Sequence, residues 1–188
     1  RIKNAVRRGS QAHQVPHIGC PQIAPVTRPI TVNISPIGAA ALAASGVRGC
    51  TGRFLIWDRA LPDIPRITGD QPDHVGYNPA ISGINLNFNR VYFEWKRQGQ
   101  GWDLSVDARG ARFAPPVNIT KVDLTDQATA PFRYQGGAAV ERWTVATGAL
   151  GRDGSRWLPV RHVAPYAADV FAGLCAVQGF RLEGGEQG

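Results

Sequence analysis

The chain has 188 residues, 43% of them hydrophobic and 19% charged, which is enough to bury the core of one domain without a metal or a disulfide. No apolar run approaches the roughly 20 residues of a membrane-spanning helix, so we predict no transmembrane segment. Lys and Arg number 21 against 14 Asp and Glu, and the formal net charge is +7.

The excess positive charge lies in the first third of the chain. Asp58 is the first carboxylate side chain, and seven Lys and Arg residues precede it. Residues 58–188 carry the other 14 bases (21 − 7) and all 14 acids, so they are formally neutral. A segment of one sign that lacks internal partners attracts an external anion.

Residues 1–29 are predicted to form an extended basic arm, because four prolines interrupt any helix or central strand there. Arginine binds carboxylate or phosphate groups through its planar fork. The positive charge of the arm could bind nucleic acid, an anionic membrane surface or an acidic protein face. The alternative is that the arm is a solvated basic tail that binds no partner. The candidate anion- or partner-binding residues are Arg1, Lys3, Arg7, Arg8 and Arg28.

Three cysteines leave the redox context open. A disulfide between Cys20 and Cys50 would close a loop of about 30 residues and stabilise the fold by roughly 3–4 kcal/mol. Free thiols at both positions are the alternative. Cys175 lies in an apolar stretch, where a small buried thiol is ordinary.

The region of residues 30–182 is predicted to be a single β-rich domain. Residues 30–35 alternate apolar and polar side chains, which predicts a strand. Ser35 and Pro36 then match the start of a short helix. Residues 54–57 suit a buried strand, and residues 61–79 form a long loop rich in proline and glycine. Loops of this length inside a compact domain are often functional.

Residues 84–95 give the strongest strand signal. The apolar positions change parity near Asn89 and Arg90, which predicts a bulge or crossover there. Residues 102–106 alternate again and form the returning strand of a hairpin, with Trp95 on its apolar face. Further strands are predicted at residues 117–119, 122–124 and 140–145.

The chain is predicted to end in an amphipathic helix that starts at Pro165 and stops at Gly179, followed by a flexible tail at residues 183–188. The predicted fold class is mostly β, with α+β as the alternative. The architecture is an antiparallel sandwich or curved sheet with one or two packed helices and an extended N-terminal arm.

Several catalytic and metal-binding signatures are absent from the sequence. It contains no Gly-x-Ser-x-Gly elbow, no phosphate-binding loop, no His-Glu-x-x-His and no Cys-x-x-Cys. His13, His17, Cys20 and Cys50 have the residue types of a zinc site, but Pro16 interrupts the helix that would align the two histidines. We predict no metal site and no cofactor.

We expect a non-enzymatic structural or interaction subunit of a larger assembly, which docks other protein subunits through the basic arm. One alternative is a nucleic-acid-binding module that uses the same arm. A second is a hydrolase with its site in the loop of residues 61–79, which would use Asp73 or His74, although adjacent residues rarely hydrogen-bond in the geometry that a general base needs. Trp157, in a glycine-rich turn, is the tryptophan that we expect to be exposed.

Overall fold

Two three-stranded sheets and two helices dominate the described part of this computed structural model. The structure describes residues 34–50, 54–127, 130–137, 140–182 and 185–187. The predicted arm of residues 1–29 lies outside the described residues, as do residues 30–33 of the first predicted strand. The mostly β class with packed helices is confirmed.

The helices and strands of the described residues are numbered in chain order. The helices are α1 (Pro36–Ala44) and α2 (Val163–Val177). The strands are β1 (Gly49–Cys50), β2 (Phe54–Ile56), β3 (Arg90–Gln98), β4 (Gly101–Asp107), β5 (Thr120–Thr125), β6 (Phe132–Gln135), β7 (Glu141–Ala146), β8 (Gly154–Pro159), β9 (Arg181–Leu182) and β10 (Gly185–Gln187).

Both helices begin and end close to their predicted positions. Ser35 caps α1, since its Oγ accepts a hydrogen bond from the Gly38 amide at 3.0 Å, and Pro36 is the first helical residue. Helix α2 starts two residues before Pro165 and stops before Gly179, whose φ of 74° ends the helical path.

The first sheet has the strand order β4-β3-β8 and is antiparallel throughout. Its β3-β4 pair is the predicted hairpin, with Trp95 opposite Leu104 and a turn at Gly99. Val91, Phe93 and Trp95 alternate with half-buried residues and are at most 7% exposed. The two-residue period therefore identified the buried face of β3 correctly.

The residues just before β3 differ from the prediction of a strand at 84–89. Asn87, Phe88 and Asn89 form a 3₁₀ turn with φ values of 54°, 57° and 50°. Positive φ is incompatible with an extended strand, so β3 can begin only at Arg90. The change of parity in the sequence marks this left-handed turn rather than a bulge between two strands.

The second sheet has the order β5-β7-β6, and one of its two pairings is parallel, whereas the sequence predicted an antiparallel sandwich or curved sheet. Strand β7 inserts between β5 and β6, running antiparallel to β6 and parallel to β5. The chain reverses once between β5 and β6 and again between β6 and β7, so β5 and β7 run in the same direction. The short β1-β9 and β2-β10 pairs are also parallel.

The predicted tail of residues 183–188 contains a short strand. Residues 185–187 form β10 and pair with residues 54–56 of β2. The polar sequence of this segment does not indicate the pairing, because strand pairing depends on backbone groups.

Helix α2 contacts α1 and the strands β2, β9 and β10, and its buried side chains belong to the same hydrophobic core as those of the two three-stranded sheets. None of the described helices is both long and apolar enough to cross a membrane. The largest fully buried side chains of the described residues include Phe93, Trp143, Leu158, Tyr166 and Phe171.

We expect Gly154→Ala to destabilise the protein by about 1–3 kcal/mol, because the added Cβ would lie 2.6 Å from Cζ2 of the buried Trp95 ring. Gly148→Ala is the matched control, since an added Cβ there meets no atom within 4 Å. Urea unfolding of both variants checks the difference. Equal free energies of unfolding would contradict this packing.

Candidate functional site

The long loop of residues 61–79 is held in place by one buried side chain, Arg161. Its guanidinium donates hydrogen bonds to the backbone carbonyls of Pro65 at 3.1 Å, Asp73 at 2.9 Å and Asn78. The side-chain amide of Asn78 makes two hydrogen bonds with the backbone of Thr68. Its Nδ2 donates to the Thr68 carbonyl at 2.9 Å, and its Oδ1 accepts from the Thr68 N–H at 3.0 Å. These bonds fix a loop that has almost no regular secondary structure.

Glu141, at the start of β7, in turn fixes the backbone of Arg161. Its Oε1 accepts hydrogen bonds from the amides of Arg161 at 2.5 Å and His162 at 2.6 Å, and the residue is 0% exposed. Burial raises the pKa of Glu141, against the lowering effect of the two backbone hydrogen bonds. Its Oε2 has no hydrogen-bond partner among the described residues.

Tyr134 lies on the neighbouring strand β6, and both burial and the charge of Glu141 affect its pKa. Burial raises the pKa of its hydroxyl, and the negative charge of Glu141 raises it further. The Tyr134 ring packs against Trp143, with ring centroids 5.1 Å apart. The hydroxyl makes no hydrogen bond within the described part of the chain. Arg161, Glu141 and Tyr134 therefore support the loop from the protein interior. None of them presents a charged group to solvent.

Asp73 and His74, the candidate hydrolase residues, both make contacts that stabilise the loop: the first within the loop and the second with β6. The Asp73 carboxylate pairs with Arg66, with Oδ1 3.2 Å from Nη1. The His74 ring stacks on Phe132 of β6 at 5.3 Å between centroids. Burial lowers the pKa of His74, and the positive charge of Arg156 lowers it further. In the described residues, the His74 ring has no hydrogen-bond partner that would orient it as a base.

The outer side of the loop forms one wall of a cleft of about 540 Å³. The other wall is the segment that leads into β3. Ser82, Asn85 and Asn89 supply polar groups to the lining, and Arg90 is its charged member. We call this cleft the groove. Its large apolar lining residues are Leu61, Ile67, Tyr77, Pro79, Ile81 and Phe88.

Exposed apolar side chains are concentrated at the groove. Of the twelve exposed large hydrophobic residues in the described part of the chain, five line it, and Tyr77 and Phe88 are each 68% exposed. Scattered exposed apolar residues are normal on a protein surface, whereas a cluster around a cleft is a candidate interaction surface.

Phe88 is presented to solvent by the left-handed turn. Asparagine tolerates positive φ at positions 87 and 89, but phenylalanine at a φ of 57° is strained. The side chain of Asn89 stabilises the turn, since its Oδ1 accepts from the Leu86 amide and its Nδ2 donates to the Ala80 carbonyl, both at 3.0 Å. The strained residue is therefore held in a fixed position.

Arg90, the next residue, makes cation–π contacts with two aromatic rings. Its guanidinium carbon lies 5.1 Å from the centroid of Phe88 and 4.8 Å from that of Trp157. The Nε atom is buried and has no hydrogen-bond partner among the described residues. Trp157, which we expected to be exposed, is half-buried because Arg90 covers one side and Tyr92 meets its ring edge-on at 5.0 Å.

The other predicted site residues stay predictions. Arg1, Lys3, Arg7, Arg8 and Arg28 of the arm lie outside the described residues, as do Cys20 and the side chain of Cys50, so no contact bears on the proposed disulfide.

Cys175 is buried in α2 as expected, and burial raises the pKa of its thiol to about 11. No group of three or more His, Cys, Asp or Glu side chains within the described ranges is arranged to hold a metal ion.

Two features of the sequence lie at the walls of the groove, although neither predicted the groove itself. The unusual length of the loop at residues 61–79 indicated a functional surface, and the change of parity marked the turn before Arg90. Neither signal identified Tyr77, Phe88 or Arg90 as site residues, because the loop and the turn meet only in the folded chain.

We expect Arg161→Met to loosen the loop, because three backbone carbonyls lose a charged donor, each such bond being worth about 1.5–3 kcal/mol. Hydrogen exchange should accelerate at the amides of Ile64 and Ile81, which bond to each other's carbonyls at 2.8 Å. The amides of the β3-β4 hairpin should keep their protection. Arg133→Met, at an exposed position on β6, is the control, and unchanged exchange at Ile64 in Arg161→Met would contradict the role of Arg161.

Stability should depend on pH through Glu141. Because its pKa is raised in the folded state, the protonated form favours folding, and this contribution is lost as pH rises from about its ordinary value of 4.5 through the folded-state pKa. Glu141→Gln keeps an oxygen acceptor and removes the titration. The free energy of unfolding of wild type minus that of Glu141→Gln should therefore fall between pH 4 and pH 8, as measured in urea. Parallel curves would argue against a raised pKa.

Comparison with known proteins yields little similarity. No family model and no curated protein matches the chain. A solved structure, penicillin binding protein 4 (dacB) from Haemophilus influenzae, is similar to it with 20% sequence identity and a TM-score of 0.45. The match covers 78% of this chain and 33% of that chain, so this chain spans about a third of that protein's length. A likeness this weak supports no conclusion about function.

Proposed function

We propose that this chain is a non-enzymatic interaction subunit that docks a partner protein in the groove. The basic segment before Asp58 adds attraction towards an acidic face of that partner. The observation that carries the proposal is Phe88, an exposed aromatic side chain held on a strained turn at the groove.

Folding alone gives no reason for phenylalanine at position 88. The side chain is 68% exposed, so it adds little to the core, and its left-handed backbone costs about 1–2 kcal/mol relative to an unstrained conformation. Glycine or asparagine would occupy the position at a lower free energy. Strain retained at an exposed aromatic residue is typical of a binding site.

The composition and rigidity of the groove also favour protein docking. Tyrosine, phenylalanine and arginine are enriched in the central contacts of protein interfaces, and Tyr77, Phe88 and Arg90 adjoin the cleft. The bonds from Arg161 hold the loop wall in place before any partner arrives. A preformed surface loses less conformational entropy on binding.

The contacts of Asp73 and His74 favour this proposal over the hydrolase alternative. Asp73 pairs with Arg66 inside the loop, and His74 stacks on Phe132 of β6, so both side chains have structural contacts. The nucleic-acid alternative rests on the seven bases that precede Asp58, and it is separated from protein docking by its dependence on salt.

We expect Phe88→Gly to abolish docking without unfolding the chain. Glycine adopts positive φ freely but loses more entropy on folding, so the free energy of unfolding should change by less than about 1 kcal/mol. The tagged full chain, purified from its native source, should elute as a complex, whereas Phe88→Gly should elute near its own mass of 20.3 kDa. Val177→Ser, which removes an equally exposed apolar side chain on α2, should behave as wild type.

Two further measurements on the same complex separate the alternatives. Replacing Arg1, Lys3, Arg7 and Arg8 with Ala should weaken the complex only modestly if the groove is the main contact. A complex that dissociates with nuclease or moderate salt, and that survives Phe88→Gly, would support the nucleic-acid alternative. A wild-type chain that remains monomeric in its native source would reject docking altogether.

A further inference from the structure

We infer that the groove recognises a carboxylate carried by an apolar peptide segment, and that Arg90 is the residue that binds it. This inference deepens the proposed function and rests on it. It concerns the chemical group that binds in the groove, which the exposure of the groove does not by itself identify.

Among the described residues, the side-chain N–H groups of Arg90 have no hydrogen-bond acceptor. The guanidinium carbon lies 5.1 Å from the ring centroid of Phe88 and 4.8 Å from that of Trp157, so two aromatic rings help to hold the group in place. Among the described residues no carboxylate pairs with it, and its buried Nε has no partner. A planar cation fixed in this way suits two parallel hydrogen bonds to a carboxylate.

Some other arginines of the described residues find acceptors within the protein. Arg109 pairs with Asp107 at 2.7 Å, Arg66 with Asp73 at 3.2 Å, and Arg161 donates to loop carbonyls. Among the described residues, Arg90 has no such acceptor, and it lines the groove. Its guanidinium is therefore available for a charge-assisted hydrogen bond to a ligand.

The lining of the groove favours a peptide carboxylate over a phosphate backbone. Arg90 is its charged residue, and the other lining residues are apolar or neutral. A nucleic acid would require several bases along its path. One cation beside Phe88 and Tyr77 matches one carboxylate with apolar neighbours. The exposed Asn85 makes no hydrogen bond within the described chain and can bond the peptide backbone.

The test uses four short peptides with the full chain, measured by calorimetry and by tryptophan fluorescence. The first pair is acetyl-leucyl-phenylalanine with a free C-terminal carboxylate and its C-terminal amide. The second pair is acetyl-leucyl-glutamyl-leucine amide and its glutamine counterpart. The first pair tests a chain terminus as the source of the carboxylate, and the second tests an acidic side chain.

At least one carboxylate peptide should bind about tenfold or more tightly than its uncharged counterpart, as expected for a charge-assisted pair. Arg90→Gln should abolish that difference, and Arg90→Lys should restore only part of it, because lysine lacks the fork. Arg97→Gln is the matched control: Arg97 also stacks on a tryptophan, Trp102, at 4.8 Å, but does not line the groove. It should leave the difference intact.

Several outcomes would overturn the inference. Equal affinity of the acid and amide peptides would remove the carboxylate from recognition while leaving apolar docking intact. Binding of inorganic phosphate as tight as that of the best peptide would point to a general anion site. Failure of all four peptides, with Phe88→Gly still releasing the native partner, would reject the inference and retain the proposed function. Carboxylate selectivity that depends on Arg90, without any effect of Phe88→Gly on assembly, would retain the inference and reject the proposed function.

Discussion

The contact of Glu141 with the backbone of Arg161 is the interaction on which the rest of the candidate site depends. The carboxylate fixes the start of α2 against β7, and the guanidinium then reaches three carbonyls of the long loop. Those carbonyls lie 83 to 96 residues earlier in the chain. Burying both groups is costly, and Glu141 Oε2 and Arg161 Nε have no hydrogen-bond partner among the described residues. The bonds that are made join particular backbone groups, so they stabilise this arrangement of the loop.

The fixed loop gives the groove one of its walls, and the left-handed turn gives it the other. The wall formed by the turn is not explained by stability alone. The turn places a phenylalanine where its backbone is strained and its ring is exposed, and Arg90 keeps donors that no described residue satisfies. Local features that conflict with the general rules of folding concentrate at functional sites. Their coincidence at one cleft is why we favour docking over a purely structural surface.

The docking model also gives a role to the uneven charge of the chain. A cationic segment before Asp58 and a single guanidinium in the groove both favour a partner with acidic groups, although at different ranges. Long-range attraction raises the rate of encounter, whereas a stacked arginine selects a particular group at close contact. The two features would therefore act at successive stages of the same association.

Local patterns in the sequence determined the buried face of β3, the hairpin with β4, the Ser35 cap of α1 and the buried environment of Cys175, because each depends on residues close together in the chain. The parity change before Arg90 was visible, but the same pattern is compatible with a bulge or a left-handed turn. Only the tertiary structure decided the parallel pairing of β5 with β7, the pairing of β10 with β2 and the contacts of Arg161. Those features join segments distant in sequence, and their free energy depends on which groups become buried together, which no local period of side chains encodes.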